Sequence, residues 1–235
     1  MNEQTSYHGN PNLKPLAYQH DFSEEEIKEY VKCKEDPVYF IENYVKIITL
    51  DKGLQPFKLY DCQKEKVKCI MNNRRVVLME GRQQGKTVTS AACILHYTIF
   101  EEDKTVAIMA NKSSAAREVL NRYQIMYENL PIWMQQGVKV WNKGDVELEN
   151  NSKVLTAATT AAAIRGKSVN WLYIDEAAII PNNIADEFFT SVYPTISAGE
   201  TTKILLTSTP LGYNHFWKFW NESLEGVNGF ENMFI

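Results

Sequence analysis

The sequence has no long hydrophobic run, no closely paired cysteines and no excess of positive charge. No apolar stretch approaches the roughly 18 to 20 residues that span a bilayer, and residues 1–15 are polar, so we expect neither a membrane span nor a secretory signal peptide. The four cysteines form no C-x-x-C pair and no metal-like spacing with the four histidines, which indicates reduced thiols in a cytosolic protein. With 25 basic and 29 acidic residues the net charge is −4, so nucleic acid can be bound only through a local patch.

Short apolar runs alternate with helical patterns through the middle of the chain. Nearly all positions in these runs are apolar, which is typical of strands buried on both faces of a parallel sheet. The clearest runs are residues 76–79, 105–109, 171–174 and 203–206. Because helices are predicted between them, the sequence predicts an α/β fold with a doubly wound, mainly parallel sheet and helices on both faces.

The rest of the chain divides into shorter segments around this core. Residues 1–22 are polar and are expected to form a flexible arm. Residues 23–58 are expected to form a small helical subdomain, which begins at a capping box on Ser23. The core is assigned to residues 59–224, and residues 225–235 are assigned to a C-terminal tail.

Residues 80–87 read Glu-Gly-Arg-Gln-Gln-Gly-Lys-Thr and lie between a predicted strand and a predicted helix. This setting is the one that a phosphate-binding Walker A loop requires. Gly85 allows backbone N–H groups to approach a phosphate closely, at the N-terminus of a helix. Lys86 can reach the β- and γ-phosphates, and the Thr87 hydroxyl can ligate Mg²⁺.

The match to the pattern G-x-x-x-x-G-K-S/T departs at its first position. Glu80 stands where the pattern has glycine, and Gly81 comes one place later. The alternative interpretation is an ordinary glycine-containing turn that is followed by a Lys-Thr pair. The strand–turn–helix setting favours the phosphate loop.

A pair of acids follows the predicted strand at residues 171–174. Asp175 and Glu176 would lie at the carboxyl end of a buried parallel strand, where ligands bind in open α/β sheets. Asp175 is placed to hold the Mg²⁺ shell, and Glu176 is placed to orient and deprotonate an attacking water. Two solvated acids at a strand end are the alternative.

The last predicted strand ends in hydroxyl residues. Thr207, Ser208 and Thr209 can contact a γ-phosphate or the attacking water and report its loss to distant elements. Capping of the segment before Pro210 is an alternative of almost equal weight. The sequence therefore predicts a coupling motif at this strand end and leaves the simpler function open.

Three further side chains are candidates for the same site. Arg82 lies inside the phosphate loop and can stabilise charge on a γ-phosphate in its own subunit. Arg165 precedes the strand that carries the acids, and it can reach a neighbouring subunit or a phosphate backbone. The amide of Gln63 offers a donor and an acceptor to the edge of adenine. A surface arginine is the alternative for each arginine, and a solvated helix residue is the alternative for Gln63.

Three motifs together resemble the large terminase subunit of tailed bacteriophages, most closely the large-genome myovirus type. They are Gly-Arg-Gln-Gln-Gly-Lys-Thr at 81–87, Ile-Arg-Gly-Lys-Ser at 164–168 with the later Leu-Tyr-Ile-Asp-Glu-Ala-Ala, and Leu-Thr-Ser-Thr-Pro-Leu-Gly-Tyr-Asn-His-Phe at 206–216. The similarity extends over about residues 35–224, and the displaced first glycine is similar to the deviant Walker A of that family. The resemblance implies a P-loop NTPase fold of the ASCE, or RecA-like, type.

The resemblance also implies an ATP-driven motor, with ATP and Mg²⁺ as cofactors, that pumps double-stranded DNA into a prohead. The implied partners are double-stranded DNA, the portal protein, the small terminase subunit and further copies of the chain in a ring on the portal. The implied location is the cytoplasm of the infected bacterium, and transiently the procapsid portal. A helicase-like DNA-dependent ATPase and a nucleotide-binding assembly module without turnover are the alternatives.

The resemblance gives each candidate residue a role. Arg82 is the in-loop arginine, Arg165 is the arginine finger between subunits, and Gln63 contacts adenine. Asp175 is the Walker B aspartate and Glu176 is the catalytic base. The phosphate-loop residues are Gly81, Arg82, Gln83, Gln84, Gly85, Lys86 and Thr87, and the coupling motif is Thr207, Ser208 and Thr209.

Members of the family also carry an RNase H-like nuclease with metal-binding aspartates after the ATPase. No candidate nuclease triad follows residue 224 in this sequence. We therefore expect no cleavage of DNA by this polypeptide.

Overall fold

The computed structural model describes residues 6–160, 167–191 and 199–235. Ten strands and seven α-helices are formed by these residues. The strands are β1 (Lys46–Thr49), β2 (Gly53–Pro56), β3 (Arg75–Met79), β4 (Thr105–Ala110), β5 (Val138–Trp141), β6 (Asp145–Leu148), β7 (Lys153–Ala158), β8 (Trp171–Ile174), β9 (Lys203–Ser208) and β10 (Glu231–Phe234). The helices are α1 (Glu24–Glu35), α2 (Pro37–Tyr44), α3 (Asp61–Asn72), α4 (Lys86–Phe100), α5 (Ser113–Glu128), α6 (Asn182–Ser191) and α7 (His215–Leu224), with a 3₁₀-helix at Ala177–Ile179. In these ranges no helix combines the length and the apolar character that a membrane crossing needs.

An eight-stranded sheet in the order β10-β3-β9-β8-β4-β7-β6-β5 forms the centre of the fold. The six strands from β10 to β7 are parallel, and β6 and β5 continue the sheet as antiparallel strands. Strand β9 lies between β3 and β8. Because the carboxyl ends of parallel strands meet at one edge, the segments that follow β3, β8 and β9 come together there.

Successive residues of the central strands are buried on opposite faces of the sheet. In β4, Val106 and Ile108 pack into the core under α2 to α5, whereas Ala107 and Met109 pack with residues of α6 and α7. This explains why the strand sequences are apolar throughout, since both faces are covered by helices. The predicted α/β fold with a mainly parallel, doubly wound sheet is confirmed.

The segment before the core contains the predicted capping box and a hairpin. The Ser23 hydroxyl accepts a hydrogen bond from the Glu26 amide at 3.1 Å, and the Ser23 amide donates to the Glu26 carboxylate at 2.9 Å. Strands β1 and β2 then form an antiparallel hairpin that packs against α5. The sequence predicted a helical subdomain over residues 23–58 and no hairpin in it, because no alternation of polar and apolar residues marks the second strand.

Part of the expected flexible arm is packed against the core. Leu13 is buried, and the Lys14 amide donates to the Gln135 side-chain oxygen at 3.0 Å. The Lys14 ammonium donates to the Gln135 carbonyl, also at 3.0 Å. The polar composition of residues 1–22 conceals this attachment, because it depends on one buried leucine and on hydrogen bonds to residues more than a hundred positions away.

The expected C-terminal tail contributes a strand to the sheet. Strand β10 pairs in parallel with β3, and the Ile235 amide donates to the Met79 carbonyl at 3.0 Å. The Gly81 amide donates to the Ile235 carbonyl at 2.8 Å. Neither β10 nor α6 was predicted from the sequence. Strand β10 has four residues and lies at the edge of the sheet, so its sequence is too short to show the pattern of polar and apolar residues that would indicate a strand.

A buried ion pair joins α3 to the end of β3. The Lys66 ammonium lies 2.7 Å from the Glu80 carboxylate, and both side chains are fully buried. Burial raises the pKa of Glu80, and the positive charge of Lys66 opposes that effect. Lys66 lies on the buried face of α3 together with Gln63, Val67 and Ile70. The glutamate at the first position of the loop motif is therefore tied to the core.

We expect the substitution Glu80→Gln to lower the free energy of unfolding by about 3 to 5 kcal/mol, because it leaves the Lys66 charge buried without a counter-charge. The double substitution Lys66→Met with Glu80→Leu should recover most of this loss, since it removes both charges. Urea unfolding measures the effect. The matched control is Glu65→Gln, which breaks the exposed Lys68–Glu65 pair and should cost less than about 1 kcal/mol. A double variant as unstable as Glu80→Gln would contradict the interpretation.

Candidate active site

A cleft of about 430 Å³ opens at the edge where β3, β8 and β9 end. One part of its wall is formed by the loop after β3 and the start of α4, with Gly81, Arg82, Gln83, Gly85, Lys86, Thr87 and Val88. Arg122 of α5 contributes a second part, and Glu176, Ile179 and Thr209 contribute the third. The sheet topology therefore brings the predicted phosphate loop, acidic pair and coupling motif to one place.

The loop after β3 has two residues in the left-handed region. Gln83 has φ of 63° and Gly85 has φ of 76°. The backbone conformation favours glycine at residue 85, and a Cβ atom there would lie 2.5 Å from the Gln63 side-chain nitrogen and displace it. Helix α4 begins immediately afterwards, at Lys86. The loop therefore ends at the N-terminus of a long helix, where backbone N–H groups favour an anion.

Lys86 and Glu176 form an ion pair across the cleft. The Lys86 ammonium lies 2.5 Å from a Glu176 carboxylate oxygen; the lysine side chain is 7% exposed and the glutamate side chain 36% exposed. Glu176 has φ of 52°, which is uncommon for a residue other than glycine. Strained backbone of this kind is concentrated at functional sites. A phosphate that binds to Lys86 must compete with Glu176 for it.

Asp175 is held by hydroxyl groups from both sides. The Thr87 hydroxyl donates to one carboxylate oxygen at 3.1 Å, and the Thr207 hydroxyl donates to the other at 3.0 Å. The buried Tyr173 hydroxyl lies 3.3 Å from the Thr207 hydroxyl. The two residues predicted to hold Mg²⁺, Thr87 and Asp175, are therefore in direct contact.

The oxygen donors at this place fit Mg²⁺. In the described part of the chain, no three His, Cys, Asp or Glu side chains gather into a metal cluster. Mg²⁺ does not need such a cluster, because it is usually bound by one or two carboxylates together with substrate phosphates. Asp175 offers the carboxylate and Thr87 the hydroxyl oxygen, beside the loop that is suited to phosphate.

The strand-end hydroxyl residues contact both acids. Ser208 donates to Glu176 at 3.5 Å and accepts from the Ala178 amide at 3.1 Å. Thr207 contacts Asp175, as described above, and Thr209 lines the cleft. The coupling role of these residues stays a prediction, and the contacts give β9 a direct connection to the acidic pair.

Gln63 lies behind the loop with both ends of its amide engaged. The side-chain nitrogen donates to the Gln84 carbonyl at 3.2 Å, and the side-chain oxygen accepts from the Tyr60 amide at 3.1 Å. Gln63 is also buried, so it is not the solvated helix residue of the alternative interpretation. In this structure both ends of the amide are therefore occupied, and the nitrogen connects α3 to the loop. The contact of Gln63 with adenine stays a prediction.

The two candidate arginines differ in what the structure describes. Arg82 is exposed and lines the cleft. Arg165 falls in 161–166, outside the described residues, so its role stays a prediction.

Arg122 also lines the cleft, which was not predicted from the sequence. It lies in a helix with no motif around it, and no sequence signal indicates its position at the cleft.

Comparison with known proteins identifies the family. The sequence matches the family of the terminase large subunit, T4-like virus type, N-terminal region, over residues 77–231. The structure is similar to the large terminase of bacteriophage HK97, with a TM-score of 0.68 and 18% identity over 83% of this chain and 42% of that chain. It is also similar to the large terminase ATPase domain of Thermus phage P74-26, with a TM-score of 0.60 and 20% identity over 76% of this chain and 81% of that chain.

A third similar structure was solved with nucleotides. It is the large terminase of a thermophilic bacteriophage in complex with ADP, with a TM-score of 0.58 and 12% identity over 76% of this chain and 45% of that chain. The same protein was also solved with ATP-gamma-S. This chain spans less than half the length of that terminase and of the HK97 terminase.

The structural matches show a shared RecA-like fold. The sequence match covers every described motif from β3 to β9 and well over half of the chain. The chain belongs to the family of T4-type terminase large subunits, of which it contains the N-terminal region.

Proposed function

We propose that this chain binds and hydrolyses ATP as the ATPase part of a phage DNA-packaging motor. The observation that carries the proposal is that Lys86, Thr87 and Glu176 line one cleft at the carboxyl edge of the sheet, with Asp175 hydrogen-bonded to Thr87 behind it. Membership of the terminase family and the similar fold of a relative solved with ADP support it.

The phosphate loop would bind the triphosphate. Its backbone N–H groups and the start of α4 supply a partial positive charge, and Lys86 supplies a full one. Because Lys86 is paired with Glu176, binding of the phosphates would exchange one anionic partner of the lysine for another. Glu176 would then be released beside the bound nucleotide. Arg82 can stabilise the charge that develops on the γ-phosphate.

Thr87 and Asp175 would hold Mg²⁺. When bound, the ion neutralises charge on the β- and γ-phosphates. Thr207 donates to the Asp175 oxygen that does not contact Thr87, and so keeps the other carboxylate oxygen oriented toward Thr87.

Glu176 would act as the base in hydrolysis. Its carboxylate accepts a proton from water, the water oxygen bonds to the γ-phosphorus, and the bond from that phosphorus to the bridging oxygen of ADP breaks. Ser208 contacts Glu176 and Thr207 contacts Asp175, so a change at either acid reaches the end of β9. We propose that this is the route by which hydrolysis is coupled to movement.

The proposal extends to the partners of the motor. We propose translocation of double-stranded DNA into a procapsid by a ring of copies on the portal protein, together with a small terminase subunit, in the host cytoplasm. Arg165 would contribute to a neighbouring copy's site. Membership of the terminase large-subunit family, whose implied activity is DNA packaging, supports these proposals.

One observation favours a second candidate function, a nucleotide-binding assembly module without turnover. Glu176 is held by Lys86, and a base that stays paired does not activate water. Tight binding of ATP with no phosphate release, in the presence and absence of DNA, would favour this alternative. Measurement of phosphate release by this chain therefore separates the two functions.

We expect Glu176→Gln to reduce ATP hydrolysis by at least about 100-fold, because an amide cannot accept the proton of the attacking water. Binding of ATP should persist or tighten, since Lys86 loses its competing anion. Phosphate release and equilibrium binding measure the two effects. The control is Glu225→Gln, an exposed acid that follows α7. Turnover of Glu176→Gln at the rate of the unsubstituted chain would remove Glu176 from the role of base.

Hydrolysis should require Mg²⁺, and Asp175→Asn should raise the Mg²⁺ concentration for half-maximal rate by roughly tenfold or more, because the amide loses the ionic contact with the cation. Titration of the rate with Mg²⁺ after treatment with EDTA measures this shift. Asp145→Asn, in the exposed start of β6, should leave the titration unchanged. An unaltered Mg²⁺ dependence of Asp175→Asn would exclude this carboxylate as a ligand.

Linear double-stranded DNA should stimulate hydrolysis by this chain if DNA is what the motor moves. A forked duplex should stay paired, because translocation along a duplex does not need strand separation. A gel assay with labelled forked DNA measures pairing, and the same gel reports the uncut duplex that the sequence led us to expect. Lys86→Ala is the control for dependence on ATP. Separation of the strands would instead support the helicase-like alternative.

A further inference from the structure

The nucleotide cleft contains a third cation that the motifs do not account for. Arg122 lines it together with Arg82 and Lys86. Among the described lining residues, one carboxylate, that of Glu176, faces these three cations, and it is paired with Lys86. The cleft therefore has an excess of positive charge, which suits an anionic ligand.

Arg122 is only partly satisfied by its own surroundings. One terminal nitrogen of the guanidinium lies 3.4 Å from the carboxylate of Glu118, one helical turn earlier, in a pair that is exposed on both sides. Its Nε atom is buried and has no hydrogen-bond partner among the described residues. A buried donor without an acceptor is costly, so the present position of the guanidinium is poorly stabilised, and an anion that draws it into a better-satisfied position is favoured.

The position of α5 directs this side chain to the phosphate loop. Helix α5 packs against α4, which begins at Lys86. Arg122 and Val88, in the first turn of α4, line the cleft and also an adjoining groove with residues of β1. Arg122 thus lies where the phosphate-binding part of the cleft meets that groove.

We propose that Arg122 binds the phosphate chain of a nucleoside di- or triphosphate. Its ion pair with the Glu118 carboxylate would then be replaced by contacts with the phosphate oxygens. The planar guanidinium presents its N–H donors in a fork that matches phosphate oxygens. The inference rests on the proposed function, because it assigns a further contact to the same nucleotide site.

The test is equilibrium binding of ATP-gamma-S, ADP and inorganic tripolyphosphate to the full chain. Arg122→Ala should weaken binding of all three by about tenfold to hundredfold, because a charge-assisted hydrogen bond is lost. Arg122→Lys should recover part of the affinity, since it keeps the charge without the fork. Glu118→Gln should tighten binding, since the competing carboxylate is gone.

The matched control is Arg117→Ala, which removes an exposed arginine from the same helix and should change no affinity. Thermal melting of each variant verifies folding; if Arg122→Ala fails to fold, Arg122→Lys and Glu118→Gln still decide the question. Unchanged affinity of a folded Arg122→Ala would overturn the inference. Loss of ATP-gamma-S binding with unchanged tripolyphosphate binding would also overturn it, because the contact would then be with the base or ribose.

Failure of the inference can be distinguished from failure of the proposed function. Lys86→Ala reports on the phosphate loop independently of Arg122. If Lys86→Ala weakens binding and Arg122→Ala does not, only the inference is wrong. If the unsubstituted chain binds none of the three probes, or if Lys86→Ala binds them equally well, the proposed function is wrong and the inference is overturned with it.

Discussion

The placement of β9 between β3 and β8 is the constraint on which the site depends. The parallel registers put Ser208 of β9 beside Met79 of β3, and Leu206 beside Ile174 of β8. The phosphate loop after β3, the coupling hydroxyls at the end of β9 and the acids after β8 therefore lie at the same edge. Asp175, at the end of β8, accepts hydrogen bonds from Thr87 of α4, the helix that follows β3 two strands away, and from Thr207 of the intervening β9. A ligand at the phosphate loop is therefore separated from β9 by a single carboxylate.

The central fold could be predicted from the sequence because its signals are local. The run of apolar residues in β8 indicates burial on both faces, and the helix from Lys86 to Phe100 begins directly after a glycine turn. Elements that depend on distant partners could not be predicted in the same way. Strand β10 forms along the edge that β3 offers, and Leu13 is buried where Gln135 binds the residue after it. The Lys66–Glu80 pair likewise joins elements that the sequence separates.

The candidate site likewise has features that could be predicted from local sequence and features that could not. The sequence motifs predicted that Lys86, Thr87, Asp175 and Glu176 lie together, because strand ends and loop chemistry can be inferred from residue types. The pairing of Lys86 with Glu176 could not be predicted, since it depends on a distance across the cleft. The partners of the Gln63 amide, and the approach of Arg122 from α5, depend in the same way on how helices pack.

The pairing of Ile235 with the phosphate loop has a practical consequence for labelling. The Gly81 amide donates to the Ile235 carbonyl, so this residue shares a hydrogen bond with the loop that would hold the nucleotide. A bulky group attached at residue 235 would therefore begin one hydrogen bond away from Gly81, which lines the cleft, and would disturb the loop.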